Sequence, residues 1–184
     1  TFAKETIYAY ISDGGIQEEI SQGGARIAAT LGLDNLIMFY DSNDIQLSTE
    51  TKDVMTEDTA AKYRALGWEV IEIVGNDAAQ IRQALDAALK VEGKPTLIIG
   101  KCIMGKGALK ADGSSYEANC KTHGAPLGGD AFVNTIKNLG GDPENPFQIF
   151  DDVKELYANR AKELEAICAE RYAEEAAWAA ANPE

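Results

Sequence analysis

Histidine is almost missing from this chain of 184 residues: His123 is the only one. That excludes a zinc centre built from several histidines, and any Ser/His or Cys/His catalysis has to use this one residue. Cysteine is scarce as well. Cys102, Cys120 and Cys168 are odd in number and form no CxxC pair. There is therefore no disulfide framework, and a reducing cytoplasm is the expected compartment. Positive charge is in deficit, with 17 Lys and Arg against 30 Asp and Glu and a formal net charge of −13. A surface of that sign repels phosphate backbones and anionic lipid, so neither nucleic acid nor a membrane is an expected partner. No apolar run approaches the roughly 18 residues that a transmembrane helix needs. The chain opens on Thr1 without a signal-peptide pattern, and the expectation is a fragment or processed piece of a longer polypeptide.

What is there has the balance of a globular domain. Hydrophobic residues make up 45% and charged residues 26%, enough for a core and a solvated surface. Segments of strand and helix character alternate. Thr6 to Ile11 is a short run of β-formers ending in Ser12-Asp13-Gly14-Gly15. Ile16 to Leu31 reads as one helix, weakened at Gly23 and Gly24. Leu36 to Tyr40 is continuously apolar, as a strand buried on both faces is. It ends in Asp41-Ser42-Asn43-Asp44. A helix over 56–66, with Thr56 as its cap, leads to a strand over 68–74. Asp77 caps a helix over 78–90, and a strand runs from Pro95 to Lys101. This alternation predicts an α/β fold: a mainly parallel sheet with helices on both faces. Gly105 to Gly129 lacks any period and reads as one long loop, a length that in a compact domain marks function or disorder. After the break at Gly141 to Pro146, Asp151 to Ala181 reads as a long C-terminal helix, with Val153, Leu156, Tyr157, Leu164, Ile167, Cys168 and Tyr172 along one side. The domain organisation expected is an α/β domain over 1–140 and a helical extension over 141–184.

In open α/β sheets, ligands bind outside the carboxyl ends of the strands. Two such ends carry polar clusters, Asp13-Gly14 and Asn43 with Ile45, and 30 residues separate Asp13 from Asn43. That is room for one helix and one strand, so the two turns can face one another. One carboxylate, one amide oxygen and one main-chain carbonyl are hard ligands, suited to Mg²⁺ or Ca²⁺ with phosphate and water filling the remaining positions. Gly14 leaves its backbone N–H open to a phosphate, and the following helix turns its positive end to the same place. Metal and helix dipole together let an acidic protein bind a diphosphate. Two other readings stand beside this one. Asp-Gly and Ser-Asn-Asp are ordinary turn sequences. A strand, a glycine turn and a helix are also the general nucleotide-binding arrangement, although no GxGxxG and no GxxxxGK[ST] occurs.

Asp13-Gly14 followed by Asn43 resembles the thiamine-diphosphate motif, GDG then N. Further stretches narrow the resemblance to the transketolase family: Glu57-Asp58-Thr59-Ala60 continuing to Tyr63-Arg64-Ala65-Leu66-Gly67-Trp68, then Ile103-Met104-Gly105-Lys106-Gly107, then His123-Gly124-Ala125-Pro126-Leu127-Gly128. The resemblance runs from about Ile7 to Leu127 and more weakly through the terminal helix. It implies the second half of a diphosphate-binding domain, with 141–184 leading to a further domain that this chain lacks. By that resemblance, Asp13, the Asn43 side chain and the Ile45 carbonyl hold Mg²⁺ or Ca²⁺. Gly14 and Asn43 contact the diphosphate of thiamine diphosphate, and His123 lies near the diphosphate and the sugar. Glu18 matches a glutamate at the subunit interface, and the loop from Ile103 to His123 closes over the cofactor. The family moves a two-carbon ketol unit between ketose and aldose phosphates as a homodimer. The glutamate that activates its aminopyrimidine lies in another domain, so the isolated chain is expected to be inactive. Two alternatives remain at this point: an autonomously folded fragment that at most binds metal and diphosphate, and a related thiamine enzyme such as deoxyxylulose phosphate synthase.

The chain departs from the family pattern in places. Ser12 stands where the first Gly of the motif is usual. If that position needs a positive φ, Ser carries a steric penalty; if not, its hydroxyl is free to donate to phosphate. Asp44 occupies a position that is often Gly. The stretch between Gly107 and His123 is a few residues longer than usual, and Cys120 falls where another His is common. Outside the motifs, Cys102 reads as a core thiol in a strand, Cys168 as packed on a helix face, and Trp68 and Trp178 as packing residues. Lys101, Lys106 and Lys110 read as solvated, with phosphate neutralisation as the alternative.

Overall fold

A computed structural model describes residues 5–47 and 49–183; Thr1 lies outside them. Four strands form one sheet: β1 (Ile7–Ser12), β2 (Leu36–Ser42), β3 (Glu69–Val74) and β4 (Thr96–Lys101). All pairings are parallel and the order is β1-β2-β4-β3. The helices are α1 (Asp13–Gln17), α2 (Glu19–Thr30), α3 (Thr59–Leu66), α4 (Ala78–Ala88), α5 (Gly129–Asn138) and α6 (Asp151–Ala181). Two compact units divide the chain, one up to Leu139 and one from Gly140.

Side chains alternate across the sheet, and each face has its own core. On one face Tyr40 and Leu97 pack with Ile16 of α1, Ala25 and Ala28 of α2, Tyr63 of α3, and Trp68. On the other, Ile37 and Ile98 pack with Ala84 and Ala88 of α4. The two-faced burial explains why the central strands β2 and β4 are apolar without a break. The edge strand β1 is different: Tyr8 and Tyr10 are exposed, and Tyr10 stacks on Phe39 at 5.9 Å between ring centroids.

Three strands fall within a residue of the expected ranges, β2 runs two residues further and takes in Asp41 and Ser42, expected in the turn, and several helix boundaries move for identifiable reasons. The expected single helix over 16–31 starts at Asp13 and is broken at Glu18, whose backbone is extended (ψ 133°). α2 therefore starts afresh at Glu19. α3 starts three residues later than expected because Asp58, not Thr56, is its cap; the Asp58 carboxylate accepts from the Ala61 N–H at 2.9 Å. Asp77 caps α4 as expected, accepting from Ala79 and Gln80. α5 follows the long loop, in a stretch for which no element is expected from the sequence. It pins the long loop before it: Asn138 and Asn134 donate to the carbonyls of Gly107 and Lys110, and Thr135 accepts from the Leu109 N–H at 2.9 Å.

In the second unit, α6 runs 31 residues and buries none of them. Its helicity comes from good helix formers and from ion pairs one turn apart, Lys154 with Asp151 at 2.9 Å and Arg160 with Glu163 at 2.7 Å. The expected stripe is largely exposed, as are Cys168 and Trp178.

Trp68 joins the sheet to two helices. It is buried, meets Tyr63 edge-on at 5.3 Å, and donates its indole N–H to the Ala25 carbonyl at 2.9 Å. Trp68→Ala is expected to cost about 3–5 kcal/mol in urea unfolding, because it opens a cavity and removes the indole bond between sheet and helix. A loss below about 1 kcal/mol would show that this contact is not central to the core.

Candidate functional site

The register of β1 on β2 sets Ser12 opposite Asp41, so the turns that follow both strands leave the sheet at the same level. They converge. Asp13 is 1% exposed, and both of its carboxylate oxygens are held. Oδ1 accepts from the Tyr40 hydroxyl at 2.6 Å, and Oδ2 accepts from the backbone N–H of Asn43 at 3.0 Å. Among the described residues, no Lys or Arg forms an ion pair with it.

Asn43 is fixed by the same neighbourhood. Its Oδ1 accepts from the Ile45 N–H at 3.0 Å, closing an Asx turn, and its Nδ2 donates to Asp41 at 3.2 Å. The other Asp41 oxygen accepts from the Tyr10 hydroxyl at 2.6 Å. Burial, and then the bond to Asp13, raise the pKa of Tyr40 well above the ordinary tyrosine value, so its hydroxyl stays a donor. The buried Ile45 anchors the segment, which turns back so that Ile45 bridges Glu50.

The donor set fits a hard divalent cation. A carboxylate has about four lone-pair sites, and two of those on Asp13 are taken. The amide oxygen of Asn43 keeps one. Among the described residues, the Ile45 carbonyl receives no hydrogen bond. No three His, Cys, Asp or Glu side chains cluster as a metal site among those residues, so a cation here depends on amide and main-chain oxygens, ligands suited to Mg²⁺ or Ca²⁺. Gly14 is exposed, and nothing lies within 4 Å of the place where its Cβ would stand.

The two departures in the motif resolve differently. Ser12 has φ −108°, so it needs no left-handed conformation and carries no penalty. Asp44 does adopt one, at φ 66°, which is why glycine suits that position. Its side chain pairs with Lys101. Lys106 faces Glu117 at 3.8 Å, and Lys110 lies over the Tyr116 ring at 5.8 Å. These lysines therefore meet partners within the fold.

A cavity of about 630 Å³ opens beside this point. Tyr40, Ser42, Asp44 and Lys101 form part of its wall, and Glu57 and Asp58 form another part. The second sequence motif is thus brought to the ends of β2 and β4. His123 follows a short 3-10 turn over Cys120–Thr122, and its Nδ1 is buried without a hydrogen-bond partner. A Cβ on the next residue, Gly124, would stand 3.7 Å from Leu47, so this loop lies against the segment after Asn43. Glu18 is set apart from that group. It is exposed at the break between α1 and α2 and does not cap α2 with its side chain.

The model of the family described as "Transketolase, thiamine diphosphate binding domain" matches residues 1–184. The chain belongs to this family. It is 40% identical over 173 residues to "Transketolase 2" of Vibrio parahaemolyticus, covering 93% of this chain and 24% of that protein. It is 37% identical over 154 residues to "Transketolase 2" of Xanthobacter flavus, covering 83% and 22%. A solved "Transketolase from Leishmania mexicana" superposes with a TM-score of 0.87 at 32% identity, covering 97% of this chain and 26% of that one. The chain thus spans about a quarter of the length of these relatives. Membership also makes this a thiamine-diphosphate-binding fold.

Sequence reasoning missed Tyr40 and Asp41. A tyrosine inside an apolar run gives no sign that its hydroxyl is spent on a residue 27 positions away. Cys102 was placed in β4 but lies just past it, half-buried. Burial, then the Asp41 carboxylate, push its thiol up to about 12. At pH 8 that leaves on the order of a thousandfold less thiolate than an ordinary cysteine has. Brief iodoacetamide treatment is expected to label the exposed Cys168 and spare Cys102 in peptide mapping. Equal labelling would contradict this placement of the thiol.

Proposed function

We propose that this chain supplies the diphosphate- and metal-binding part of a transketolase. In this reading Asp13, the Asn43 side chain and the Ile45 carbonyl hold Mg²⁺ or Ca²⁺. Gly14 and Asn43 contact the diphosphate, and His123, with its unpartnered ring nitrogen, faces the diphosphate and sugar phosphate. Residues 1–140 are the binding domain and 141–184 a helical extension of it. Thiamine diphosphate, when bound, supplies the electron sink for moving a two-carbon ketol unit between sugar phosphates. The protein's share is to position the diphosphate and to offset its charge.

One observation carries the reading: a nearly fully buried carboxylate from one strand end is bonded to the backbone of the next strand end, 3.0 Å away, with no cationic side chain paired to it among the described residues. A divalent ion bridging to diphosphate oxygens is the partner that such a carboxylate suits. Among the described residues no helix is long and apolar enough to cross a membrane, which agrees with a cytoplasmic enzyme on small phosphorylated sugars. The proposed assembly is a homodimer, with Glu18 at the subunit contact; its exposure at the α1–α2 break is compatible with that role.

Calorimetric titration with thiamine diphosphate, with and without Mg²⁺, tests this directly. Binding is expected to require the metal, and Asp13→Ala is expected to abolish the metal-dependent part while circular dichroism shows a folded protein. Unchanged affinity in the variant rejects the metal assignment. The chain by itself is expected to show no ketol transfer from xylulose 5-phosphate to ribose 5-phosphate, since the carboxylate that activates the aminopyrimidine belongs to a different part of the family's enzymes. Measured turnover by these 184 residues would refute that.

A further inference from the structure

We propose that Tyr40 is a positioning residue for Asp13: its hydroxyl sets the plane of the Asp13 carboxylate so that the remaining lone pairs are presented to the cation. The inference rests on the reading of Asp13 as a metal ligand and adds to it a residue that no motif identifies.

The first argument is torsional. The terminal torsion of an aspartate is broad and weakly restrained. A single hydrogen bond to one oxygen lets the carboxylate turn about that torsion. Here each oxygen has its own donor, the Tyr40 hydroxyl at 2.6 Å on Oδ1 and the Asn43 N–H at 3.0 Å on Oδ2, and two anchors define a plane. Metal sites depend on such outer groups to orient the ligands, and losing one weakens metal affinity by about 10–100-fold.

The second argument concerns the anchor itself. The Tyr40 ring is 3% exposed and belongs to the core formed by Ile16, Tyr63 and Leu97. Its backbone pairs with Ile11, two residues before Asp13. The donor therefore hangs from a buried, paired strand residue, not from a loop. The Asn43 N–H belongs to the turn that follows β2.

The third argument is a contrast within the same core. Tyr63 is equally buried, yet its hydroxyl has no hydrogen-bond partner. Its ring packs on Trp68, and packing alone accounts for it. At position 40 a phenylalanine would fill the same space. The hydroxyl donates its proton to Asp13 and has the Ser42 side chain as a second neighbour.

Tyr40→Phe removes that hydroxyl and keeps the ring. Mn²⁺ serves as the probe, titrated into the chain with thiamine diphosphate present and followed by electron paramagnetic resonance, well below the melting temperature. Tyr40→Phe is expected to weaken Mn²⁺ binding by about 10–100-fold and to change the spectrum of the bound ion. Tyr63→Phe, the matched core control, is expected to leave both unchanged. A purely structural role for the Tyr40 hydroxyl predicts a lower melting temperature with wild-type Mn²⁺ affinity and spectrum, and that result would overturn the inference. If Asp13→Asn loses Mn²⁺ and Tyr40→Phe does not, the inference fails while the metal reading stands. If the unsubstituted chain takes up no Mn²⁺, both fail together.

Discussion

A carboxylate withdrawn from water has to be held by donors, and the way Asp13 is held organises this fold around its site. Its two oxygens take one bond from the core, through Tyr40, and one from the neighbouring turn, through Asn43. The exits of β1 and β2 are thereby tied together at the point where the strands stop. Parallel pairing supplies the rest of the constraint. Ser12 opposite Asp41 brings the next residues of both strands to a common level, and no insertion in the helices between them can alter that.

The arrangement also explains how an acidic chain can present a site for an anion. A formal charge of −13 repels diphosphate at long range, but short-range geometry decides binding where a divalent ion can sit. Asp41 contributes by keeping the Asn43 amide in one orientation, with Nδ2 toward the carboxylate and Oδ1 on the other side. The His123 loop lies against the segment after Asn43. Earlier in the same loop, the Asn138, Thr135 and Asn134 side chains of α5 hold the backbone of Gly107, Leu109 and Lys110, so a stretch without regular structure is nonetheless tied to its scaffold.

Much of this was legible in the sequence because it depends on local patterns. Apolar runs ending in polar turns located the strands, and Asp77 announced the start of α4. The helix errors share one cause. A helix starts or ends where a backbone group finds a better partner, and hydrophobic period does not register those caps and breaks. The break at Glu18 lies between two short apolar segments that period alone joins. Asp58 outcompeted Thr56 because its carboxylate reaches the Ala61 N–H. α5 carries β-branched residues that give it a weak helical signal, and its side chains bond to the loop before it.

The line between the two levels is physical. Composition and period determined an α/β fold with a parallel sheet, and the motifs determined which residues meet at its strand ends. The same sequence is silent on Tyr40 and Asp41, on the unstrained Ser12 and on the left-handed Asp44. Hydrogen bonds between residues 27 to 31 positions apart leave no periodic trace, and a backbone angle is set by the contacts around it. Only the folded sheet brings those groups within reach of one another.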